Sequence, residues 1–182
     1  MKDMNETREA IKKAFVKLYS HKSYEKINIK EICLEAPVAR TTFYEYYENL
    51  GELKTEIEDE LIAGILKIAE NMCNGNLENI NLEDYFAAVL VYIKSNRDVN
   101  YAFLVKQPNF DYISKWKEAI KYHFKLRFPS KTGIPNYGLI ADVIASAVIG
   151  AYTYWMQHPD EMDAKKINEI SVKAMGLLPD IL

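Results

Sequence analysis

Apolar residues recur along the chain at the spacing of an α-helix. The segment 5–20 places such residues at intervals of three and four, on one face: Ile11, Ala14, Phe15, Leu18 and Tyr19. This stripe predicts a first helix that packs on a core. Lys12 and Lys17 lie off the stripe and belong to the polar side of that helix.

The same period continues through the rest of the chain, and no alternating segment is long enough to predict a strand. Further helices are expected over the segments 49–74, 81–95, 98–106, 110–128, 136–158 and 163–175. With two short helices between the first segment and the second, the pattern predicts an all-α fold of about nine helices. The segment 49–74 is apolar on two faces, so we expect it to pack against two parts of the molecule.

Two short helices with a tight turn between them are predicted from Asn28 onward. Asn28 can cap the first helix, and Glu31, three residues later, completes a capping box. Pro37 cannot continue this helix, because its ring fixes φ and it has no N–H. Beyond the break, Arg40 and Tyr44 are side chains that hydrogen-bond phosphates and base edges. This layout is typical of a helix-turn-helix, whose second helix enters the DNA major groove.

Charge and motifs narrow the function. The formal net charge is −3, residues 1–54 are about neutral and the remainder is acidic, so the chain is not a general polyanion binder. No glycine-rich phosphate loop, G-x-S-x-G or H-E-x-x-H motif occurs, and we expect neither an enzyme nor a cofactor.

The cysteines, histidines and the most apolar stretch predict ordinary structural roles. Cys33 and Cys73 are far apart in helical segments, as expected of buried thiols in a reducing cytoplasm. His123 and His158 are isolated from other ligand types, so no metal site is expected. The apolar stretch 143–156 is shorter than the ~20 residues that span a bilayer core, and we expect a buried helix there and no membrane partner.

One run beyond the turn is specific: Val38-Ala39-Arg40-Thr41-Thr42-Phe43-Tyr44-x-Tyr46-Tyr47, preceded by Ile29-x-x-Ile32 and followed by Leu53. With the stripe of the first helix, this run resembles the TetR-like transcriptional regulators over residues 5–55. The resemblance implies a homodimer, each subunit having a DNA-binding head (1–48) and an effector-binding and dimerisation body (49–182). It implies a double-stranded DNA operator and a small-molecule effector as partners. The candidate DNA-binding residues are Asn28, Arg40, Thr41, Thr42, Tyr44, Tyr46 and Lys54.

The chain departs from the family pattern at the head. Pro37 stands in place of the turn glycine, and Ala39 in place of the usual serine cap. Glu45 is acidic where a neutral or basic residue is common, and Leu50 stands near the position of a phosphate-binding lysine. Losing one phosphate contact weakens binding to every sequence alike, and Lys54, Lys30 or Lys2 could compensate.

The role of each head residue has an alternative. Arg40 could read guanine through its two-pronged guanidinium, or contact a phosphate, or be a solvated surface charge. Tyr44 could donate its hydroxyl to a phosphate while its ring packs on the core. Thr42 could contact phosphate, or only tighten the first turn of its helix.

The body offers candidates for an effector pocket and for a dimer interface. The resemblance places these residues around the pocket: Phe86, Leu90, Phe103, Trp116, Ile120, Asp142, Tyr152 and Trp155. The alternative is that the aromatic residues form only the core and that Asp142 serves a helix dipole. Small and apolar residues of the last two helices predict a symmetric interface or, alternatively, packing within the chain: Ala147, Gly150, Ala151, Ile167, Ile170 and Ala174.

Two functions of different class remain. The first is a ligand-responsive DNA-binding regulator, a repressor that a small, largely apolar molecule releases from its operator. The second is a helical protein-interaction module whose head no longer binds DNA, suggested by Glu45 and by Leu50.

Overall fold

The structure, a computed structural model, describes residues 4–73, 81–128, 132–161 and 163–176. Within these ranges it contains nine α-helices and no strand, so the predicted all-α fold is confirmed. The helices are α1 Met4–Tyr19, α2 Ile29–Glu35, α3 Arg40–Tyr46, α4 Leu50–Cys73, α5 Leu82–Ser95, α6 Arg97–Tyr101, α7 Phe110–Arg127, α8 Tyr137–Gln157 and α9 Ala164–Gly176. A 3₁₀ turn at Tyr24–Lys26 precedes α2, and a π-helical turn at Ala102–Lys106 follows α6.

The predicted helix caps form. The Asn28 side chain accepts a hydrogen bond from the Glu31 amide at 3.1 Å, and the Glu31 carboxylate accepts one from the Asn28 amide at 3.4 Å. This reciprocal pair satisfies two amides that the first turn of α2 leaves open. Asn81 and Asp163 accept backbone hydrogen bonds at the starts of α5 and α9 in the same way.

The turn between α2 and α3 contains a strained proline. The Val38 amide donates to the Cys33 carbonyl at 3.0 Å, a bond that closes a helix end around one left-handed residue. That residue is Pro37, with φ of 23°. A proline ring favours φ near −65°, so Pro37 occupies a position that suits glycine. The predicted end of the helix at Pro37 is confirmed.

The chain divides into two compact units, Met1–Glu60 with Asp98–Pro108, and Leu61–Arg97 with Asn109–Leu182. The first unit thus includes the start of α4 and the segment 98–108, which the sequence interpretation assigned to the body. In it α2 packs on α1 and on α3. Its core consists of fully buried apolar side chains, among them Ile11, Phe15, Ile32, Phe43 and Leu53.

Lys12 does not lie in solvent as its place off the α1 stripe suggested. Its side chain is buried, and its ammonium pairs with Glu56 at 2.9 Å and with Glu60 at 2.5 Å. Arg8 pairs with the same Glu56 carboxylate. Both acids lie on α4, so charges join α1 to α4 beside the apolar core.

Gln107 joins the segment 98–108 to the connection between α1 and α2. Its side-chain oxygen accepts from the Tyr24 amide at 2.9 Å, and its side-chain nitrogen donates to the carbonyls of Lys22 and Tyr19. The Tyr19 hydroxyl returns a hydrogen bond to the Gln107 carbonyl at 3.2 Å. Phe103, on the π-helical turn, packs edge-on against the Tyr19 ring at 5.0 Å.

The second unit is a bundle with an aromatic core. Helix α8 packs against α7 and α9, and α9 packs against α5. The fully buried side chains at its centre include Tyr112, Trp116, Phe124 and Tyr152. Gly64 on α4 lets α5 approach closely, because a Cβ there would lie 2.1 Å from the Tyr92 hydroxyl.

Helix α8 is the one described helix long and apolar enough to cross a membrane. Eight of its residues, Ala141 and Trp155 among them, are buried inside the chain. A core helix of a bundle passes the same test of length and composition.

Candidate functional site

Helix α3 presents polar side chains on one face and one apolar anchor on the other. Phe43 is fully buried, and it fixes the helix against the first unit. Arg40 and Thr41 are exposed, and Tyr44 is 50% exposed although its ring packs edge-on against Phe43 at 5.7 Å. The Tyr44 hydroxyl can therefore meet an external group while the ring stays anchored.

Several cations of the first unit are held in ion pairs. Arg8, Lys12, Lys17 and Lys22 each form an ion pair with a glutamate of the same unit. Arg40 forms no ion pair with any residue that the structure describes. Its charge is thus available to a phosphate or to the O6 and N7 atoms of guanine.

An open groove runs along this face of the first unit. Its walls bring the start of α2, the start of α4 and Arg40 together, with these residues in the lining: Tyr24, Ile27, Asn28, Ile29, Lys30, Arg40, Asn49, Leu50 and Gly51. Asn28 and Arg40 were both predicted to bind DNA. Lys30 adds a second exposed cation to the groove.

The remaining predicted DNA residues are less accessible. Thr42 and Tyr46 are half-buried, and the Tyr46 ring lies 6.4 Å from the ring of Tyr47. Lys54 pairs with the buried Glu58 at 3.3 Å and lies over the ring of Tyr24. Lys54 is therefore held within the first unit, and its predicted role as a substitute phosphate contact is not favoured by its position.

The departures from the family pattern are visible at this face. Glu45 is exposed on α3 beside the polar residues. Ala39 precedes α3 and makes no side-chain cap, as its missing hydroxyl predicts. Leu50 and Gly51 line the groove where the start of α4 provides no cation.

The second unit encloses a cavity between α4, α5, α7 and α8. Four predicted effector residues line it: Phe86, Trp116, Ile120 and Tyr152. The other lining residues were not predicted: Ile65, Tyr85, Val89, His123 and Val148. His123 stands seven positions after Trp116 and so shares its helix face, which is the signal that could have found it. The cavity measures about 20 Å³, room for about one water molecule.

The polar groups around this cavity are buried and neutral. The Tyr85 hydroxyl lies 3.0 Å from Nδ1 of His123. Burial lowers the pKa of His123 to about 4, so its imidazole is uncharged at neutral pH. Burial also raises the pKa values of Tyr85 and Tyr152, which keeps both phenols protonated.

Four predicted effector residues lie outside the cavity lining. Leu90 is buried in α5, and Phe103 packs on Tyr19 in the first unit. The Trp155 ring lies under the Lys94 ammonium at 5.8 Å.

Asp142, the fourth of these, is at the surface of α8 rather than in a pocket. Its carboxylate pairs with Lys117 at 3.1 Å and with Lys121 at 3.6 Å. The hydrogen bond from Lys117 lowers the pKa of this carboxyl. Its position fits a surface ion pair between α7 and α8.

The outer face of α8 carries exposed small and apolar residues. Of the predicted interface, Ala147 and Gly150 are exposed, and a Cβ at Gly150 would meet no atom within 4 Å. Ala151 is half-buried and Ile170 is exposed. Ile167 is only 1% exposed, so it packs inside the second unit. The side chain of Ala174 lies outside the described residues.

Three further exposed residues extend this face along α8 and were not predicted. They are Leu139, Val143 and Tyr154. Their spacing of four and eleven residues places them in one stripe with Ala147 and Gly150. We call these five residues the α8 stripe.

Comparisons with known proteins give one consistent likeness, although no protein-family model matches the chain. The HTH-type dhaKLM operon transcriptional activator DhaS of Lactococcus lactis is 25% identical over 116 residues, which cover 63% of this chain and 58% of that relative. The match thus spans little more than half of the relative's length.

Solved structures resemble nearly the whole chain. A TetR transcriptional regulator from Streptococcus agalactiae is 20% identical with a TM-score of 0.71, over 96% of this chain and 94% of that one. Thermus thermophilus FadR, a TetR-family repressor in complex with lauroyl-CoA, is 18% identical with a TM-score of 0.61, over 94% and 93%. These likenesses establish the fold, and the resemblance found in the sequence is confirmed at that level.

Proposed function

We propose that this chain, which has the fold of the TetR-family transcriptional regulators, is itself a DNA-binding transcriptional regulator that responds to a small molecule. The observation that carries the proposal is the face of α3. Arg40, Thr41 and Tyr44 project from it, and Phe43 anchors it from behind. The protein would act without catalysis, in the cytoplasm, on double-stranded DNA.

Arg40 and Tyr44 have separate roles in this proposal. The Arg40 guanidinium, unpaired among the described residues, reads a guanine edge in the major groove. The Tyr44 hydroxyl and the groove around Asn28 contact phosphates and so set the register of the helix without reading sequence. The ordering of α3 by its buried anchor reduces the entropy lost on binding.

The proposed dimer uses the α8 stripe, with Ile170 beside it. These residues are exposed in the single chain, and the open space at Gly150 allows a second helix to approach. We expect the two α3 helices of a DNA-bound dimer to enter successive major grooves, roughly 34–36 Å apart. Sedimentation tests the dimer: a monomer at micromolar concentration would rule it out.

The effector is proposed to weaken DNA binding, which makes the protein a repressor released by its ligand. A ligand shifts the balance only through its differential affinity for the DNA-bound and free arrangements. DNA must then weaken effector binding by the same factor. The relatives are named both as activator and as repressor, so the direction is measured with a reporter gene behind the chain's own promoter.

A second function, a helical protein-interaction module, is favoured by the small cavity and by the acidic Glu45 on α3. A carboxylate on the DNA-facing helix repels phosphates, whereas it suits a basic protein surface. Glu45→Gln separates the two functions. A regulator should bind DNA equally or more tightly after this change, and an interaction module should bind no DNA before or after it.

The decisive experiment measures DNA binding of two α3 variants to the promoter beside the chain's own gene. Arg40→Ala should weaken specific binding by about 1–3 kcal/mol and relax the preference at one base pair. Tyr44→Phe should weaken binding to all sequences by about the same amount, since a phosphate contact carries no sequence information.

Lys125→Ala is the matched control, because it removes one exposed positive charge, as Arg40→Ala does, but from α7 instead of α3. It should leave DNA binding unchanged. If Arg40→Ala and Tyr44→Phe both bind as tightly as the parent chain, this face does not meet DNA and the proposal is wrong.

A further inference from the structure

The cavity of the second unit has no charged group in its wall. Its lining consists of aliphatic and aromatic side chains with three polar members, Tyr85, His123 and Tyr152. His123 is uncharged because burial lowers its pKa, and the phenols remain protonated. An ion entering here would lose its hydration without gaining a counter-charge, which is strongly unfavourable.

The Tyr152 hydroxyl in the cavity wall makes no hydrogen bond of normal geometry with the described residues, and neither does the Ser171 hydroxyl near it. Both residues are at most 1% exposed. The Ser171 hydroxyl is near enough to lower the Tyr152 pKa slightly against the larger effect of burial. A buried hydroxyl without a partner costs free energy, and a ligand that offers an oxygen would recover it.

The side chains that line the cavity near these hydroxyls are mostly apolar. Trp116 stacks on Tyr152 with ring centroids 5.8 Å apart, and Ile65, Val89 and Ile120 complete the lining. A ligand with a short carbon chain could exchange contacts with these side chains. Because the empty space holds about one water, any larger molecule must move them, and its binding is coupled to conformation.

We propose that this cavity binds a small neutral molecule with a hydroxyl or carbonyl group, a short alcohol, ketone or amide. Its oxygen meets the Tyr152 hydroxyl, and its carbon chain lies against the aliphatic wall. The regulatory meaning of this binding rests on the proposed function above. The binding itself is a property of the second unit and is tested without DNA.

The test compares four probes that share one chain length: butanol, butyramide, butyrate and butylammonium. The protein is the full chain with Trp155→Phe, which leaves Trp116 as the single tryptophan, in the cavity wall. Butanol and butyramide should change its fluorescence saturably. Butyrate and butylammonium should need concentrations at least tenfold higher than the neutral probes to reach half of their fluorescence change. Equal or tighter binding of either ion, or no saturable change with any probe, would overturn the inference.

Tyr152→Phe then tests the proposed hydrogen bond, because it removes one oxygen and keeps the stacked ring. This variant should bind butanol and butyramide with an affinity about fivefold lower than the parent chain. Tyr122→Phe, on the exposed side of α7, is the matched control and should bind both probes like the parent chain. Unchanged affinity in Tyr152→Phe, with circular dichroism showing an intact fold, contradicts the assigned contact.

DNA binding of the same samples separates this inference from the proposed function. If butanol binds with the expected selectivity and the chain binds no DNA, the cavity inference stands and the regulator proposal fails. If the chain binds its promoter and the ions bind best, the regulator proposal stands and the cavity inference fails.

Discussion

In the first unit the buried charges are paired with opposite charges, whereas in the second unit the buried polar groups are neutral. Lys12 is buried against Glu56 and Glu60 in the first unit. In the second unit, the buried polar residues that the structure describes include Asn109, His123 and Ser171.

This difference fits the two kinds of recognition proposed above. A surface that meets phosphates needs cations held in place, and the paired charges of α1 and α4 brace the core behind it. A cavity for an uncharged ligand needs a lining without charged side chains, in which a few hydroxyl groups orient the ligand through hydrogen bonds. The two units should therefore respond differently to pH and to packing changes.

The largest expected effect is a loss of stability in acid that begins in the second unit. The pKa of His123 lies near 4 in the folded chain and at 6.5 ordinarily, so unfolded chains take up the proton first as the pH falls. Stability should decrease by roughly 2–4 kcal/mol between pH 6.5 and 4. Urea unfolding followed by tryptophan fluorescence measures it, since both tryptophans lie in the second unit.

The first unit should resist this acid change until lower pH. Burial alone would raise the pKa of Glu56, but its bonds with Arg8 and Lys12 outweigh burial and lower it. The stability from this acid is present above its ordinary pKa of 4.5 and is lost below it. His123→Phe should flatten the loss between pH 6.5 and 5, whereas Tyr122→Phe, an exposed change on the same helix, should not. Equal slopes in both variants would refute the assignment to His123.

A smaller effect is expected from packing at two glycines of the second unit. Gly64→Ala places a methyl group 2.1 Å from the Tyr92 hydroxyl, and should cost about 1–3 kcal/mol of unfolding free energy. Gly138→Ala, at the start of α8, meets no atom of the chain and should stabilise this helix by about 0.5 kcal/mol. Chemical denaturation measures both. The cost of Gly64→Ala should shrink in a Tyr92→Leu background, and additive costs would contradict the contact.

The first unit should depend on hydrogen bonds where the second depends on packing. Gln107→Ala removes the bonds to Tyr24, Lys22 and Tyr19, and should cost about 1–2 kcal/mol. Hydrogen exchange should speed up in the connection between α1 and α2. Gln157→Ala, exposed on α8, is the control. Unchanged exchange in Gln107→Ala would show that this side chain does not order the connection.

A small gain in stability is expected from a change at the turn before α3. Pro37→Gly removes the strain of a proline held at a φ of 23° and supplies a backbone N–H at the end of α2. It also increases the conformational entropy of the unfolded chain, which opposes part of this gain. A net gain of about 0.5–1 kcal/mol should appear in thermal unfolding. Pro159→Gly, which relieves no positive φ, should lower stability instead. A loss in both variants would mean that the turn tolerates proline without strain.

Local patterns predicted much of the first unit. The capping box of Asn28 and the end of α2 at Pro37 each depend on neighbours within a few residues, so spacing is sufficient to find them. The burial of Lys12 could not be found this way. Two of its partners, Glu56 and Glu60, lie more than forty residues further along the chain, and periodicity describes only one helix at a time.

The candidate sites show the same limit. The family resemblance grouped Trp116, Ile120 and Tyr152, which do line one cavity, but it also assigned Phe103 to the effector pocket. The apolar pattern of the last helix assigned Ile167 to an interface, although this residue is buried within the second unit. Both residues are apolar at helical spacing. Whether such a residue faces a cavity, a core or a partner depends on which helix lies opposite, which is a property of tertiary packing.

The sequence by itself determined the all-α fold, the helix-turn-helix and the polar face of α3. These follow from side-chain period, from caps and from a proline that stops a helix, all of which act within one or two turns. Only the tertiary structure decided that Gln107 belongs with the first unit, that Asp142 pairs at the surface and that His123 lies in a neutral cavity wall. Each of these depends on a contact between residues distant in sequence. That contact decides how buried the side chain is, whether it is charged and which group it pairs with.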